Sequence, residues 1–508
     1  MIGASQQAAV NNESEDKKFP LILAGPVLRK TTIDEVNLWL VTSQAVRFEP
    51  CFSLDVNLNG RLKLTTQQQV IRVSDSLHIH LLTCKPQDPL AKDQLIYYDI
   101  ASHVSTGDRY DSLKQLIPDI VYPGQSALSF FIPEQISSLF FGSCRNYHHP
   151  SKDTLVVADN YIGSTLNDVV KRPCVLLHGG DQVYLDDVGG PTLNAIHKMV
   201  ELFDLVDECL PDEKVTHTDH LYNNSTLFYN RQSILPKVSF DSSRLFFRLM
   251  PIRKTQNVFS TVKGENHLIS LGEVIGLYML AWSPECWKLT ERETNNLPPG
   301  LNRAHKVKFE QELMAVRDFI EGLGQVRRMM AHIPNYMIFD DHDVTDDWNL
   351  TAQWEQNVYS NPLSKRVISN ALLGYWIFQG WGNTPERFDK GFVDLVEQVT
   401  SKSETDKVEQ LEQMLYDFSH WHYVVDLEPD IVVLDTRTHR WRSERSQKNP
   451  SGLLDWERLV ELETILVNKE ASIIVSPAPI FGVKLIETIQ RVFSFFGQEL
   501  MVDAENWM

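Results

Sequence analysis

Positive charge is scarce in the 508-residue chain: 48 Lys and Arg stand against 67 Asp and Glu, a formal net charge of −19. An acid excess of that size repels polyanions, which argues against a generic nucleic-acid binder and against an anionic membrane surface as partners. Cysteine is sparse too. Cys51, Cys84, Cys144, Cys174, Cys209 and Cys286 lie far apart with no C-x-x-C pair, so the chain does not rest on a disulfide framework and fits a reducing compartment. Long apolar runs are missing: the best, residues 267–282, is interrupted by Glu273 and falls short of the roughly 20 residues of a membrane helix. No basic start followed by an apolar run opens the chain. The expectation is a cytoplasmic protein with a disordered N-terminus over residues 1–19 and no membrane partner. The G-x-x-x-x-G-K-[ST] loop, a G-x-G-x-x-G after a strand and the G-x-S-x-G elbow are all absent, which sets aside nucleotide-dependent chemistry and weakens acyl transfer.

What is present suits a folded α/β chain. Hydrophobic residues make up 43% and charged residues 23%, and at about 150 residues per domain there is material for two or three domains. Over 20–135, short runs alternate apolar with polar at 21–24, 36–41, 55–58, 77–82 and 95–100, which predicts an accessory antiparallel β-sandwich with a hairpin turn at Asn57 to Gly60. Over 136–508, apolar runs end abruptly in Gly, Asp or Ser and alternate with helical patterns, as in α/β domains. Strands are expected at 139–142, 174–177, 336–339, 431–434 and 473–475. Helices are expected at 307–330 and at 407–418, the second after a polar linker at 402–406. The stretch around 201–303, with Phe246, Phe247, Trp282 and Trp287, reads as an insertion that is either a substrate lid, a partner surface or simply core.

Three strand ends carry chemistry. Leu176-Leu177-His178-Gly179-Gly180-Asp181 ends an apolar run in two glycines and a carboxylate, with Tyr184 three residues on. Such an oxygen suits a divalent metal in the crevice at the carboxyl ends of strands, and equally a cap on the next segment. Residues 337–349 end a second run in Asp340, Asp341, His342, Asp343, Asp346 and Asp347. That charge is costly unless a cation neutralises it, the alternative being a solvated acidic turn. Phe140-Phe141-Gly142-Ser143-Cys144-Arg145 offers a thiol suited to iron or zinc and a guanidinium able to pair with phosphate, although cysteine is also common in cores.

In combination, Gly-Ser-Cys at 142–144, Gly-Asp-Gln-Val-Tyr at 180–184, Asp-Asp-His-Asp at 340–343 and Val-Leu-Asp-Thr-Arg-Thr-His-Arg at 433–440 resemble the PhoD-like alkaline phosphatases of the calcineurin-type metallophosphoesterase superfamily. The resemblance runs from about residue 20 and implies a β-sandwich followed by a layered α/β/β/α catalytic domain. It further implies hydrolysis of a phosphomonoester or phosphodiester by attack of a metal-bound hydroxide. In this reading Asp181 bridges metals, Tyr184 is a phenolate ligand to ferric iron, Cys144 is the cysteine ligand, and Asp341 stands where most members place a metal-binding asparagine. His342 assists the leaving group and Arg145 neutralises a phosphate oxygen, while Asp435 and Arg437 hold the site or pair with phosphate. The implied cofactor is a dinuclear or multinuclear centre with iron and calcium, zinc or manganese as the other metal.

One departure stands out: the family's last ligand motif, similar to Gly-Asp-Val-His, is absent. The expectation is a catalytic domain lacking its final C-terminal portion, or a replacement by His217-Thr218-Asp219-His220, His148 or His149. His332, His420, His422 and His439 are weaker candidates. The same departure motivates the rival reading of a catalytically impaired, metallophosphatase-like interaction protein.

Overall fold

The structure, a computed structural model, describes residues 19–104, 110–241, 253–259, 261, 263–402 and 404–480. The expected disordered stretch up to residue 18, Ser403 of the linker, and Phe246 and Phe247 lie outside them.

The N-terminal part builds two antiparallel sheets from β1 (Ile22–Thr31), β2 (Val36–Thr42), β3 (Val46–Ser53), β4 (Leu64–Ser74), β5 (Leu77–Pro86), β6 (Ile96–Val104), β7 (Tyr110–Ser112) and β8 (Leu128–Phe130). The first sheet runs β1-β2-β5-β4, and the second runs β3-β6-β7 with β8 also on β6. Side chains on successive strand residues face opposite ways. Accordingly Leu38, Leu40 and Leu82 of the first sheet meet Phe48, Phe52 and Ile100 of the second in one buried cluster. The residues between them, Trp39, Val41 and Leu81, belong to the main core of the chain. Burial on both faces explains why β2 is buried at every position.

One expected strand is a turn. Residues 55–58 carry no strand, because Asp55 Oδ1 accepts from Asn57 N (3.1 Å) and Asp55 O from Leu58 N (2.8 Å), an aspartate folding its own backbone over. Nor is there a hairpin at Asn57 to Gly60. The loop passes between sheets, with β3 paired to β6 and β4 to β5.

Further along lie β9 (Phe140–Gly142), β10 (Leu176–Gly179), the hairpin of β11 (Lys237–Asp241) with β12 (Arg253–Asn257), β13 (Asn335–Ile338), β14 (Tyr423–Val425), β15 (Asp430–Val433) and β16 (Ser472–Val475). A parallel sheet has the order β13-β10-β9, with Leu177 opposite both Tyr336 and Phe141. A second sheet has β15 between an antiparallel β14 and a parallel β16. Val175, Leu177, Tyr336 and Ile338 of the first pack on Tyr423, Ile431 and Val433 of the second. On the opposite face, Leu176, Met337 and Phe339 join helices in the main core.

The helix Arg303–Met330 starts ahead of its expected first residue, because the Asn302 side chain accepts from His305 N at its N-terminus. The helix Thr405–Asp417 follows the polar linker as expected. In the 201–303 stretch, the helix Leu271–Trp282 is buried at every residue, and Trp287 is buried beside it. Trp282 and Trp287 are therefore core. The helix opens with a capping box in which Ser270 and Glu273 serve each other's backbone, and Glu273 also holds the buried Arg231 at 2.6 Å. Among the described residues no helix is long and apolar enough to cross a membrane.

The β1 side of the sandwich is bound tightly to the rest. Buried Arg29 donates to Asn383 Oδ1 (2.8 Å) and to the carbonyl of Gln379. Trp39 Nε1 reaches Ile377 O (3.1 Å), Arg327 Nε reaches Gly25 O (2.7 Å) and Lys30 N reaches Gly382 O (3.1 Å). Burial lowers the Arg29 pKa to about 10, still charged at neutral pH, so these acceptors offset the cost of desolvating it. Arg29→Leu should therefore cost about 3 kcal/mol by leaving buried carbonyls without a donor. Urea unfolding should give coincident transitions by tryptophan fluorescence and circular dichroism, whereas two separated transitions would show independent modules.

Candidate metal centre at three strand ends

Because β9, β10 and β13 are parallel, their carboxyl ends open on one edge, and the loops after them carry Cys144, Asp181 and Asp341. The loops touch through their backbones: Cys144 N donates to Gly180 O (3.2 Å) and Arg145 N to Asp181 O (2.7 Å). Gly180, at φ +102°, permits the third approach. A Cβ there would stand 2.4 Å from Asp340 Cβ and 2.9 Å from Asp340 N, so any other residue would force the loops apart. Cys144 and Asp181 themselves sit at φ +59° and +54°, a region costing non-glycine residues about 1–3 kcal/mol unless their surroundings hold them. Asp343 holds Asp181. Its Oδ2 accepts from Asp181 N (2.6 Å) and Asp340 N (2.9 Å), and its Oδ1 accepts from Gln379 Nε2 (3.2 Å).

The donors gather around Asp181. Asp181, Asp341 and His342 each offer an atom within 4.8 Å of the others. Cys144 Sγ lies 3.5 Å from Asp181 Oδ2, and His342 N donates to Asp181 Oδ1 at 3.2 Å. Tyr184 lines one cavity with Cys144 and lays its ring against His342, 4.6 Å between centroids. Asp181 thus faces a thiol and phenol on one side and Asp341 with His342 on the other. Burial, then Asp340, Asp341, Asp343 and Cys144, push the Asp181 carboxyl well above the usual carboxylate range. Burial, then Asp181, Cys144 and Asp343, raise the Tyr184 phenol. The Asp181 carboxyl and the Tyr184 phenol, both resisting ionisation beside Asp341 and Cys144, fit a cation, which removes the reason for that resistance. The thiol and phenol suit iron or zinc, and the carboxylates suit harder ions.

The protein supplies cations of its own. Arg437, fully buried, pairs with Asp340 and, at 3.3 Å, with Asp341 Oδ1. Its turn is fixed by Asp435 Oδ1, which accepts from the backbone of Arg437 and Thr438, each at 2.9 Å. His342 Nδ1 lies 2.9 and 3.0 Å from the two oxygens of buried Asp186, which also accepts from Asp346 N (2.9 Å). Burial alone would lower the His342 pKa, but Asp186, Asp341 and Asp346 outweigh it and raise it to about 10. Asp186 is the functional residue that the sequence motifs passed over. The signal was its place two residues after Tyr184, in the same loop.

Arg145 sits otherwise than expected for a phosphate partner. Its Nε pairs with Asp153 (2.9 Å), its Nη1 donates to Ala281 O (3.0 Å), and its guanidinium lies 4.8 Å from the Trp282 ring and 4.7 Å from the Phe319 ring. It braces the wall of a cavity of about 490 Å³ lined also by Cys144, Tyr184, His342, His149 and Lys263.

Of the candidate replacement histidines, His149 lines that cavity, while others have partners of their own. His217 belongs to a separate, more exposed group with Asp207 and Asp219. His148 pairs with Asp187 at 3.2 Å, and Lys263 holds the other Asp187 oxygen at 3.0 Å. His332 is buried against Arg328 O (2.8 Å), and burial lowers its pKa to about 3. His439 lies 3.7 Å from Asp455. No protein-family model matches the chain, and no curated protein matches it.

Gly180→Ala should destabilise the fold by more than about 1 kcal/mol and lower metal uptake with it, measured by denaturant titration and metal analysis. A second expectation concerns pH. Because the His342 pKa is raised from 6.5 to about 10, its pairing with Asp186 stabilises the metal-free fold fully below about pH 6.5 and fades as pH rises through about 10. His342→Gln in the presence of chelator should flatten that loss in urea titrations between pH 7 and 10; an unchanged slope would break the assignment.

Proposed function

We propose that the chain is a metal-dependent phosphoesterase of the calcineurin type, acting on a phosphomonoester or phosphodiester. The observation that carries this reading is the meeting of Cys144, Asp181, Tyr184, Asp341 and His342 at the ends of three parallel strands. The two sheets that share one buried cluster, with helices in the core beyond, support a layered α/β/β/α domain. The dispersed cysteines, all free, support a cytoplasmic location.

Cys144, Asp181, Tyr184 and Asp341 would hold the metals, with iron beside calcium, zinc or manganese. Bound there, the cations would supply Lewis acidity to the phosphoester and an activated water. The remaining tasks fall to the chain. With Nδ1 held by Asp186, protonated His342 keeps its Nε2 proton for the departing oxygen. Lys263 at the cavity adds positive charge to a strongly acidic protein, which favours entry of an anion. Arg145 keeps the wall in place.

A second reading, a metallophosphatase-like interaction protein without turnover, is favoured by one observation: Arg437 already pairs with Asp341. A guanidinium there competes with a metal for the same oxygen.

Metal analysis of the purified chain, with assays on p-nitrophenyl phosphate and bis(p-nitrophenyl) phosphate, separates the two. Bound metal with hydrolysis of either ester is the expected result, and Asp181→Asn should lose metal and at least about 100-fold in turnover. Metal without turnover would favour the interaction protein. Neither metal nor turnover would sink the enzyme reading.

A further inference from the structure

Away from the three strand ends, the segment His420-Trp421-His422 leads into β14 and faces the helix Trp456–Leu466. One ligand atom from each of His420, His422 and Glu461 lies within 4.8 Å of the others. We propose that these residues form a second metal site, independent of the phosphoesterase reading, that takes a borderline divalent transition cation such as zinc and clamps the helix to β14.

The donor set is two imidazoles and one carboxylate, a set that zinc accepts with a fourth position left for water. Ligands at about 2.0–2.1 Å around a tetrahedral ion stand roughly 3.4 Å apart, so closure from separations within 4.8 Å asks for at most about 1.4 Å of movement. His420 is exposed and free to make it. The backbone is already set. The buried Trp421 ring packs against Phe418, Tyr375 and Phe339, with centroids 4.6, 5.6 and 5.7 Å away, which turns the flanking histidines away from the core. Arg387 Nη1 donates to the carbonyls of His420 (2.5 Å) and His422 (2.7 Å).

The carboxylate is oriented as well. Glu461 Oε2 is taken by Arg458 Nη1 at 2.6 Å, which leaves Oε1 beside His422 Nε2 at 3.0 Å. A cation would replace the proton those two atoms share. The clamp also has a mechanical purpose. The helix Trp456–Leu466 has no fully buried residue, so apolar packing alone holds it weakly, and Trp456 and Leu459 are exposed on it.

The test uses the full chain stripped of metal. Zinc titration by calorimetry and thermal melts are run on wild type, on His420→Ala, on Glu461→Gln and on Asp181→Asn combined with Asp341→Asn. The last variant should still take up one zinc per chain and gain thermal stability from it. His420→Ala and Glu461→Gln should each weaken that uptake by at least the roughly 10–100-fold that losing an outer-shell partner costs. His420 is exposed, so its loss leaves the fold intact. In wild type, cobalt at this site should give a tetrahedral visible spectrum that survives alkylation of Cys144, because no thiolate belongs to the set. Zinc uptake that disappears with the two aspartates, or that persists unchanged in His420→Ala and Glu461→Gln, overturns the site.

Discussion

The contact between the loop at Gly180 and the loop at Asp340 is the constraint on which the strand-end cluster depends. Asp343 ties their backbones together through two amides, and the missing side chain at Gly180 lets them close. Once they are that close, Asp181, Asp340, Asp341 and Asp343 crowd one another, and their electrostatics follow from the geometry rather than from composition. Arg437 and His342 offset part of the charge, each already engaged by a carboxylate. A bound cation therefore enters a partly balanced cluster. Its affinity is set by competition with a guanidinium as much as by the number of acidic ligands.

The accessory sandwich serves this arrangement indirectly. In its first sheet, β1, β2 and most of β5 are buried on both sides, against the partner sheet and against the helical core. Through Arg29 it binds the segment around Gln379, whose side chain in turn reaches Asp343. A continuous set of hydrogen bonds thus runs from β1 to the aspartate that holds the two loops. That chain of contacts gives a module remote in sequence a part in fixing the geometry of the strand ends.

The strands that carry the motifs were legible because each is a short apolar run with an abrupt polar end, and β9, β10, β13, β15 and β16 fall within a few residues of expectation. The turn at Asp55 was misread, since its alternating Asp-Val-Asn-Leu pattern imitates a strand while the aspartate side chain satisfies the backbone locally. The donor residues around Asp181 were also legible, each standing at the end of its own run. Their partners were less so. Asp186 meets a histidine 156 residues away and Arg437 an aspartate 97 residues away, and no local pattern announces a pairing at that separation. The surroundings of Arg145 were not legible for a related reason: the rings of Trp282 and Phe319 that enclose it come from helices far along the chain.

The parallel sheet joins segments that are distant in the chain: β10 pairs with β9 through Leu177 and Phe141, and with β13 through Leu177 and Tyr336. Contacts of such long range form late, because loop closure must come before they stabilise anything. During synthesis the thiol and the first carboxylate are made long before Asp341 and His342 leave the ribosome. The nascent chain must carry Cys144 and Asp181 without their companions until β13 docks, so any metal taken up at the strand ends would arrive after assembly of the sheet and could not guide it.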